Sequence, residues 1–139
     1  MTLTQPWATI IAALLAILAA SIAYRGVLMN IREQRRSEHR KAAMDVLTEA
    51  LAAKNSVGDS NARLIMEGSP AARQCHEEAL DRLRNAGEML SLFGFDDAAT
   101  SMEALWTHYG VTGSPADQAT VEHGALKSLR LAREQLFNR

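Results

Sequence analysis

Hydrophobic and polar positions divide the chain into two regimes. From Trp7 to Tyr24 the sequence reads WATIIAALLAILAASIAY, 18 residues with no charge and no strong breaker. A helix of that length rises about 27 Å, close to the roughly 30 Å hydrocarbon core of a bilayer. Beyond Tyr24 the chain is amphipathic. It is polar on every face from Arg32 to Lys41, and then Ala43, Val46, Leu47, Ala50 and Leu51 recur at helical spacing. The pattern predicts a helix through residues 25–54 that ends at the turn formers Asn55-Ser56-Val57-Gly58-Asp59, with a short helical turn from Asn61 to Met66.

Further along, Gly68-Ser69-Pro70 breaks the chain and restarts it, with Ser69 as N-cap and Pro70 at the first helical position. Ala72, His76, Ala79, Leu83, Ala86, Leu90 and Phe93 alternate steps of four and three and predict one buried stripe. Gly94 is placed for a left-handed C-terminal cap. Asp96 is the expected cap of the next helix, whose apolar face reads Ala99, Met102, Trp106 and Tyr109. Residues Gly110 to Gly113 read as a loop. Ser114-Pro115 then opens a last helix that faces the core with Ala125, Leu129, Ala132 and Leu136.

The fold class that follows is all-α. An N-terminal transmembrane helix (1–24) continues into a basic juxtamembrane helix (25–54), followed by a small antiparallel bundle of three to four helices (55–139) that packs with 43–54. Abundant Ala and few aromatics suit helices and disfavour sheets. About 85 residues remain for a soluble core, a small number that favours help from a membrane or a partner chain.

Charge sharpens the picture of the anchor. The formal net charge of −1 conceals an uncharged segment 1–24, a net of +4 over 25–41 and a net of −5 over 42–139. Arg32, Arg35, Arg36, Arg40 and Lys41 carry the basic stretch and are read as topology determinants or anionic-lipid contacts. Trp7 and Tyr24 bracket the span where amphipathic rings favour the interfaces, and Arg25 snorkels to the headgroups. Positive residues stay on the cytoplasmic side, so the expectation is an inner (plasma) membrane protein, N-terminus outside and C-terminal part cytoplasmic. Ser21-Ile22-Ala23 has a small-x-small spacing, but the apolar run exceeds the usual signal-peptide length and no basic residue precedes it, so the anchor is expected to be retained. Within the span Ala12, Ala16 and Ala20 fall at four-residue intervals and offer a close-packing face for another helix.

Candidate chemistry changes little. The lone Cys75 excludes an intrachain disulfide and a cysteine-based zinc site within one chain. His39, His76, His108 and His123 are scattered and show no metal-ligand spacing. His76 sits on an apolar stripe as a core histidine. Gly110-Val111-Thr112-Gly113 lacks the lysine and the preceding strand of a phosphate loop. No catalytic residues, metal or cofactor are expected. Two glutamates interrupt the basic stretch and it has no aromatic stacking partners, so no nucleic-acid partner is expected either. The expected partners are the lipid bilayer and either a second copy or an unknown protein.

The stretch Leu83–Trp106, LRNAGEMLSLFGFDDAATSMEALW, resembles a pattern in uncharacterised bacterial or prophage single-pass membrane-anchored small helical proteins. The shared features are an N-terminal span, a basic helix, and a helix ending in a turn like Leu90-Ser91-Leu92-Phe93-Gly94-Phe95-Asp96. The resemblance implies the layout and no activity. Two functions follow as expectations: a non-enzymatic, membrane-tethered interaction or scaffolding module, or a phage-type membrane protein such as an exclusion factor or a spanin-like lysis accessory. The basic flank disfavours the spanin-like form, which places its helices outside the cytoplasm.

Overall fold

A computed structural model describes residues 5–112 and 115–138. Its elements are α1 (Gln5–Glu67), α2 (Pro70–Leu92), α3 (Asp96–Thr107), a π-helical turn (His108–Thr112) and α4 (Pro115–Asn138). The protein is all-α, with four α-helices. The chain divides into two compact units, one up to His39 and one from Arg40 onward.

In the first unit every described side chain from Trp7 onward is exposed. Ile11 and Leu15 lie on one side of the helix and Ile17 on another, each more than half exposed, and exposed alanines such as Ala12, Ala16 and Ala19 fill the sides between them. A helix apolar on all sides with none of its surface buried needs an apolar environment, and this one is long and apolar enough to cross a membrane. Within it Ser21 Oγ donates to the Ile17 carbonyl at 2.8 Å, so this hydroxyl is satisfied by the helix itself.

The second unit has one apolar cluster to which all four helices contribute. On α2 the buried positions are Ala72, His76, Ala79, Leu83, Ala86 and Leu90, the stripe predicted from spacing except for Phe93, which is half-buried and caps the helix. Small and large residues alternate along it. The same alternation appears on α1 as Ala43, Leu47 and Ala50, and on α4 as Ala125, Leu129, Ala132 and Leu136. Alanines let helix axes approach while leucines fill the layers between, the packing that a four-and-three repeat supports. Close approach is sharpest where α2 meets α3: a Cβ on Gly87 would lie 3.5 Å from Met102 Cβ. Each fully buried Leu contributes roughly 1.5–3 kcal/mol.

The expected break at Asn55–Asp59 is absent, and α1 continues to Glu67. Local turn preference is worth only about 1 kcal/mol or less per residue in a helix interior. Against it, Ala53, Val57 and Ser60 extend the buried stripe and are all under 4% exposed. The residues 61–66 expected to form a separate turn therefore belong to α1. The first true break is Gly68, at φ +59°, whose N–H donates to the Leu64 carbonyl at 3.0 Å. Ser69 then caps α2 as expected, its hydroxyl oxygen accepting from the Ala72 N–H at 3.1 Å. At the other end Gly94 takes φ +77°. The Phe95 N–H reaches the Leu90 carbonyl and the Gly94 N–H that of Ser91, each at 2.9 Å, which closes the helix in a Schellman turn.

Four further expectations are corrected. Asp96 is the first residue of α3 rather than its cap; Phe95 occupies the cap position without a side-chain bond. The buried face of α3 is Ala98, Met102 and Leu105, one residue out of phase with the predicted one, while Ala99, Trp106 and Tyr109 are half-buried. Phe95 explains the phase: it is buried at the helix start and sets the stripe 95, 98, 102, 105. On α1, Leu51 of the predicted stripe is 40% exposed and Val46 half-buried. The segment read as a loop at 110–113 is, through Thr112, part of the π-turn. The expected Ser114 cap lies outside the described residues.

Candidate functional site

The apolar layers give way to polar ones at the end of the core where α1 turns into α2. Ser60 on α1 and His76 on α2 are buried, and Ser60 Oγ lies 3.1 Å from His76 Nδ1. The other ring nitrogen, Nε2, is 3.4 Å from the Tyr109 carbonyl in the π-turn. A carbonyl only accepts, so neutral His76 carries its proton on Nε2, and Nδ1 accepts from the Ser60 hydroxyl. The same hydroxyl is also placed to donate to the Val57 carbonyl at 3.0 Å, so its single proton is shared between two acceptors.

The π-turn sends the other end of Tyr109 to α4. The phenol donates to Glu122 Oε1, and Gln118 Nε2 donates to both the phenol oxygen and Glu122 Oε1 at 3.0 Å. Burial pushes the Tyr109 phenol well above its ordinary pKa, and the adjacent Glu122 carboxylate adds to the shift. The hydrogen bond from Tyr109 holds the Glu122 carboxyl below its usual range, helped by Gln118 and then by the charges of Lys54 and His108. One connected network therefore joins α1, α2, the π-turn and α4. Among the described residues no buried side-chain nitrogen or oxygen is without a partner.

A serine oxygen at hydrogen-bond distance from a histidine is also the beginning of a nucleophile–base pair. Here the serine is 3% and the histidine 6% exposed, and the group orienting the ring is a carbonyl rather than a carboxylate. The pair acts as a strut between α1 and α2, and Ser60 also lines an open pocket of 330 Å³ beside Asp59, Arg63 and Cys75. The spacing of residues placed His76 on the core stripe. Ser60 was missed because the segment before it reads as a loop; the signal was the repeat 43, 47, 50, 53, 57, 60 running through it.

The residues expected at the membrane stand on α1. Trp7, Tyr24 and Arg25 are exposed, as are Arg32, Arg35 and Arg36 in the first unit and Arg40 and Lys41 at the start of the second. Ala12, Ala16 and Ala20 are exposed as well. Among the described residues no group of three or more His, Cys, Asp or Glu is placed to hold a metal. Two open grooves run along the second unit. One, of 510 Å³ between α2 and α3, has Leu83, Gly87 and Trp106 in its lining beside Arg84, Glu88 and Glu103. The other, of 680 Å³ between α1 and α2, is mainly acidic. No family model, curated protein or solved structure matches the chain.

Proposed function

We propose that the chain is a membrane-tethered interaction module: the apolar part of α1 crosses the inner (plasma) membrane, and residues 40–138 present an antiparallel four-helix bundle on the cytoplasmic face. The observation that carries this reading is the contrast within one protein. Residues from Trp7 to Tyr24 bury none of their described apolar side chains, whereas the second unit closes its own core. An uncharged helix left bare costs about 25 cal/mol for each Å² of apolar surface kept in water, and a bilayer removes that cost. Orientation rests on Arg32, Arg35, Arg36, Arg40 and Lys41, which favour the cytoplasmic side.

Binding rather than chemistry is the proposed activity. The polar groups at the core's end are engaged in holding helices together, and the surface offers open grooves of mixed polarity. Carbonate extraction tests the anchor, and a reporter fused after Arg139 tests the orientation. The protein is expected in the carbonate-resistant membrane fraction, with activity only from a cytoplasmic reporter. Release by carbonate would overturn the anchor, and activity from a periplasmic reporter would overturn the orientation.

A further inference from the structure

The second unit carries two surfaces of complementary charge that remain largely exposed. On α4, Leu126, Arg130, Arg133 and Phe137 are spaced by four, three and four residues and so share one flank of the helix. Both arginines are exposed, Leu126 is half-buried, and Phe137 at the end of the flank is 66% exposed. The opposite chemistry lines the groove between α1 and α2. Asp45 and Glu49 rim it from α1, Glu78 and Asp81 from α2, and Val46 and Met89 supply apolar surface, with Met89 44% exposed. Arg82 also lines the groove but is engaged with Glu49 at 2.6 Å.

The two surfaces stand at matching heights. The pairs Glu49–Arg82 and Ser60–His76 advance along α1 while retreating along α2, so these helices run antiparallel. α4 begins at the Tyr109 end, where Glu122 feels the charge of Lys54, and its buried stripe continues to Leu136. It must therefore run back along the core in the direction opposite to α1. Going away from the Lys54–Glu122 level, Asp45 and Glu49 lie nine and five residues along α1, and Arg130 and Arg133 eight and eleven along α4. At 1.5 Å per residue the two sets agree within about one helical turn. Two copies standing side by side in the same direction thus bring basic flank and acidic groove level with each other.

We propose that the chain associates laterally and head to tail with a second copy of itself, the Leu126–Arg130–Arg133–Phe137 flank of one copy seating in the α1–α2 groove of the next. The proposal rests on the reading of the chain as a membrane-tethered interaction module and names its partner. Tethering in one bilayer holds copies at high local concentration, which favours a contact between them. The contact uses different surfaces on its two sides, so it is heterologous and propagates unless it closes into a ring.

The test uses the full chain in vesicles of phosphatidylcholine alone, so that no anionic lipid competes for the arginines. Donor and acceptor fluorophores are attached after Arg139. Energy transfer is expected for the wild type and should fall as salt is raised, since exposed charges are screened beyond about 8 Å at physiological ionic strength. The double variants Arg130→Glu/Arg133→Glu and Asp45→Arg/Asp81→Arg should each lose association by about tenfold or more, because like charges then face each other. Their helix content by circular dichroism should stay that of the wild type, since all four positions are exposed. Mixing the two variants should restore transfer, because the glutamate flank of one meets the arginine-bearing groove of the other while the unchanged arginine flank meets the unchanged acidic groove, so the two variants alternate. Absence of transfer in the wild type would overturn the proposal. So would transfer that survives Arg130→Glu/Arg133→Glu, which would assign association to the span or another face. Either result leaves the module reading intact while the protein stays carbonate-resistant; release by carbonate would remove that reading instead.

Discussion

Ser60, His76 and Tyr109 show how a few polar atoms are accommodated inside a small core. Among the described residues the hydroxyl of Ser60 is the side-chain donor to His76 Nδ1, so Ser60→Ala leaves a buried acceptor unpaired. The expected loss is about 1–2 kcal/mol, read as a lower urea midpoint of the full-length protein in detergent. Truncation of an apolar side chain depends on depth. Leu83 is wholly buried and Leu92 is 80% exposed. Leu83→Ala should therefore cost about 2–5 kcal/mol, and Leu92→Ala less than about 0.5 kcal/mol, by the same measurement. Acid acts through Glu122. Its folded pKa lies below the unfolded one, so its contribution is present above the ordinary carboxylate range and is lost as pH falls through the folded value. Glu122→Gln should flatten the acid limb of the stability profile below about pH 5, leaving the part due to other carboxylates such as Glu49, whose pKa is also lowered, by Arg82. At the alkaline end Tyr109 works oppositely. Its pKa is raised, so stability falls as pH climbs above the ordinary tyrosine value, and Tyr109→Phe should remove that component.

Glycines separate the helices by conformation, and two of them should respond to alanine with opposite signs. Gly58 lies inside α1 with nothing within 4 Å of an added Cβ. Gly58→Ala is expected to stabilise the protein by about 0.5–1 kcal/mol, since glycine is entropically costly in a helix interior. Gly94 adopts φ +77°, where a Cβ is strained. Gly94→Ala should cost about 1–2 kcal/mol and weaken the α2–α3 connection. A matched pair of thermal melts settles both; equal shifts in one direction would contradict the helical assignment through Asn55–Asp59. The exposed Glu49–Arg82 bridge contributes little by itself, because solvent screens both partners.

For the molecule as a whole, the core begins at Ala43 and owes nothing to the described side chains of the anchor, all of which are exposed. A fragment starting at Arg40 is therefore expected to remain soluble and to melt cooperatively with helical circular dichroism. A non-cooperative melt would mean that the anchor contributes to the core. Orientation is governed by different residues. Replacing Arg32, Arg35, Arg36, Arg40 and Lys41 with Gln should give mixed topology in a cysteine-accessibility assay, because these residues carry most of the basic charge next to the span and residues 1–6 carry no charged side chain.

What was readable from the sequence was everything carried by a continuous period or by a residue with one conformational role. The 18-residue apolar run, the stripes of α2 and α4, the Ser69-Pro70 start and the Gly94 stop are all of this kind. They act within a few residues of themselves, so their outcome does not depend on distant neighbours. Three matters waited for tertiary structure. Whether α1 stopped at Asn55–Asp59 was a contest between weak local preferences and the burial of Ala53, Val57 and Ser60 against other helices. The phase of α3 was set by Phe95, whose burial depends on the turn that delivers it to the core. The polar network was invisible because Ser60, His76, Tyr109 and the Gln118–Glu122 pair stand on separate elements and become neighbours only when the helices pack. Hydrogen bonds between such residues have no period to betray them, and they form only after the apolar layers have set the register.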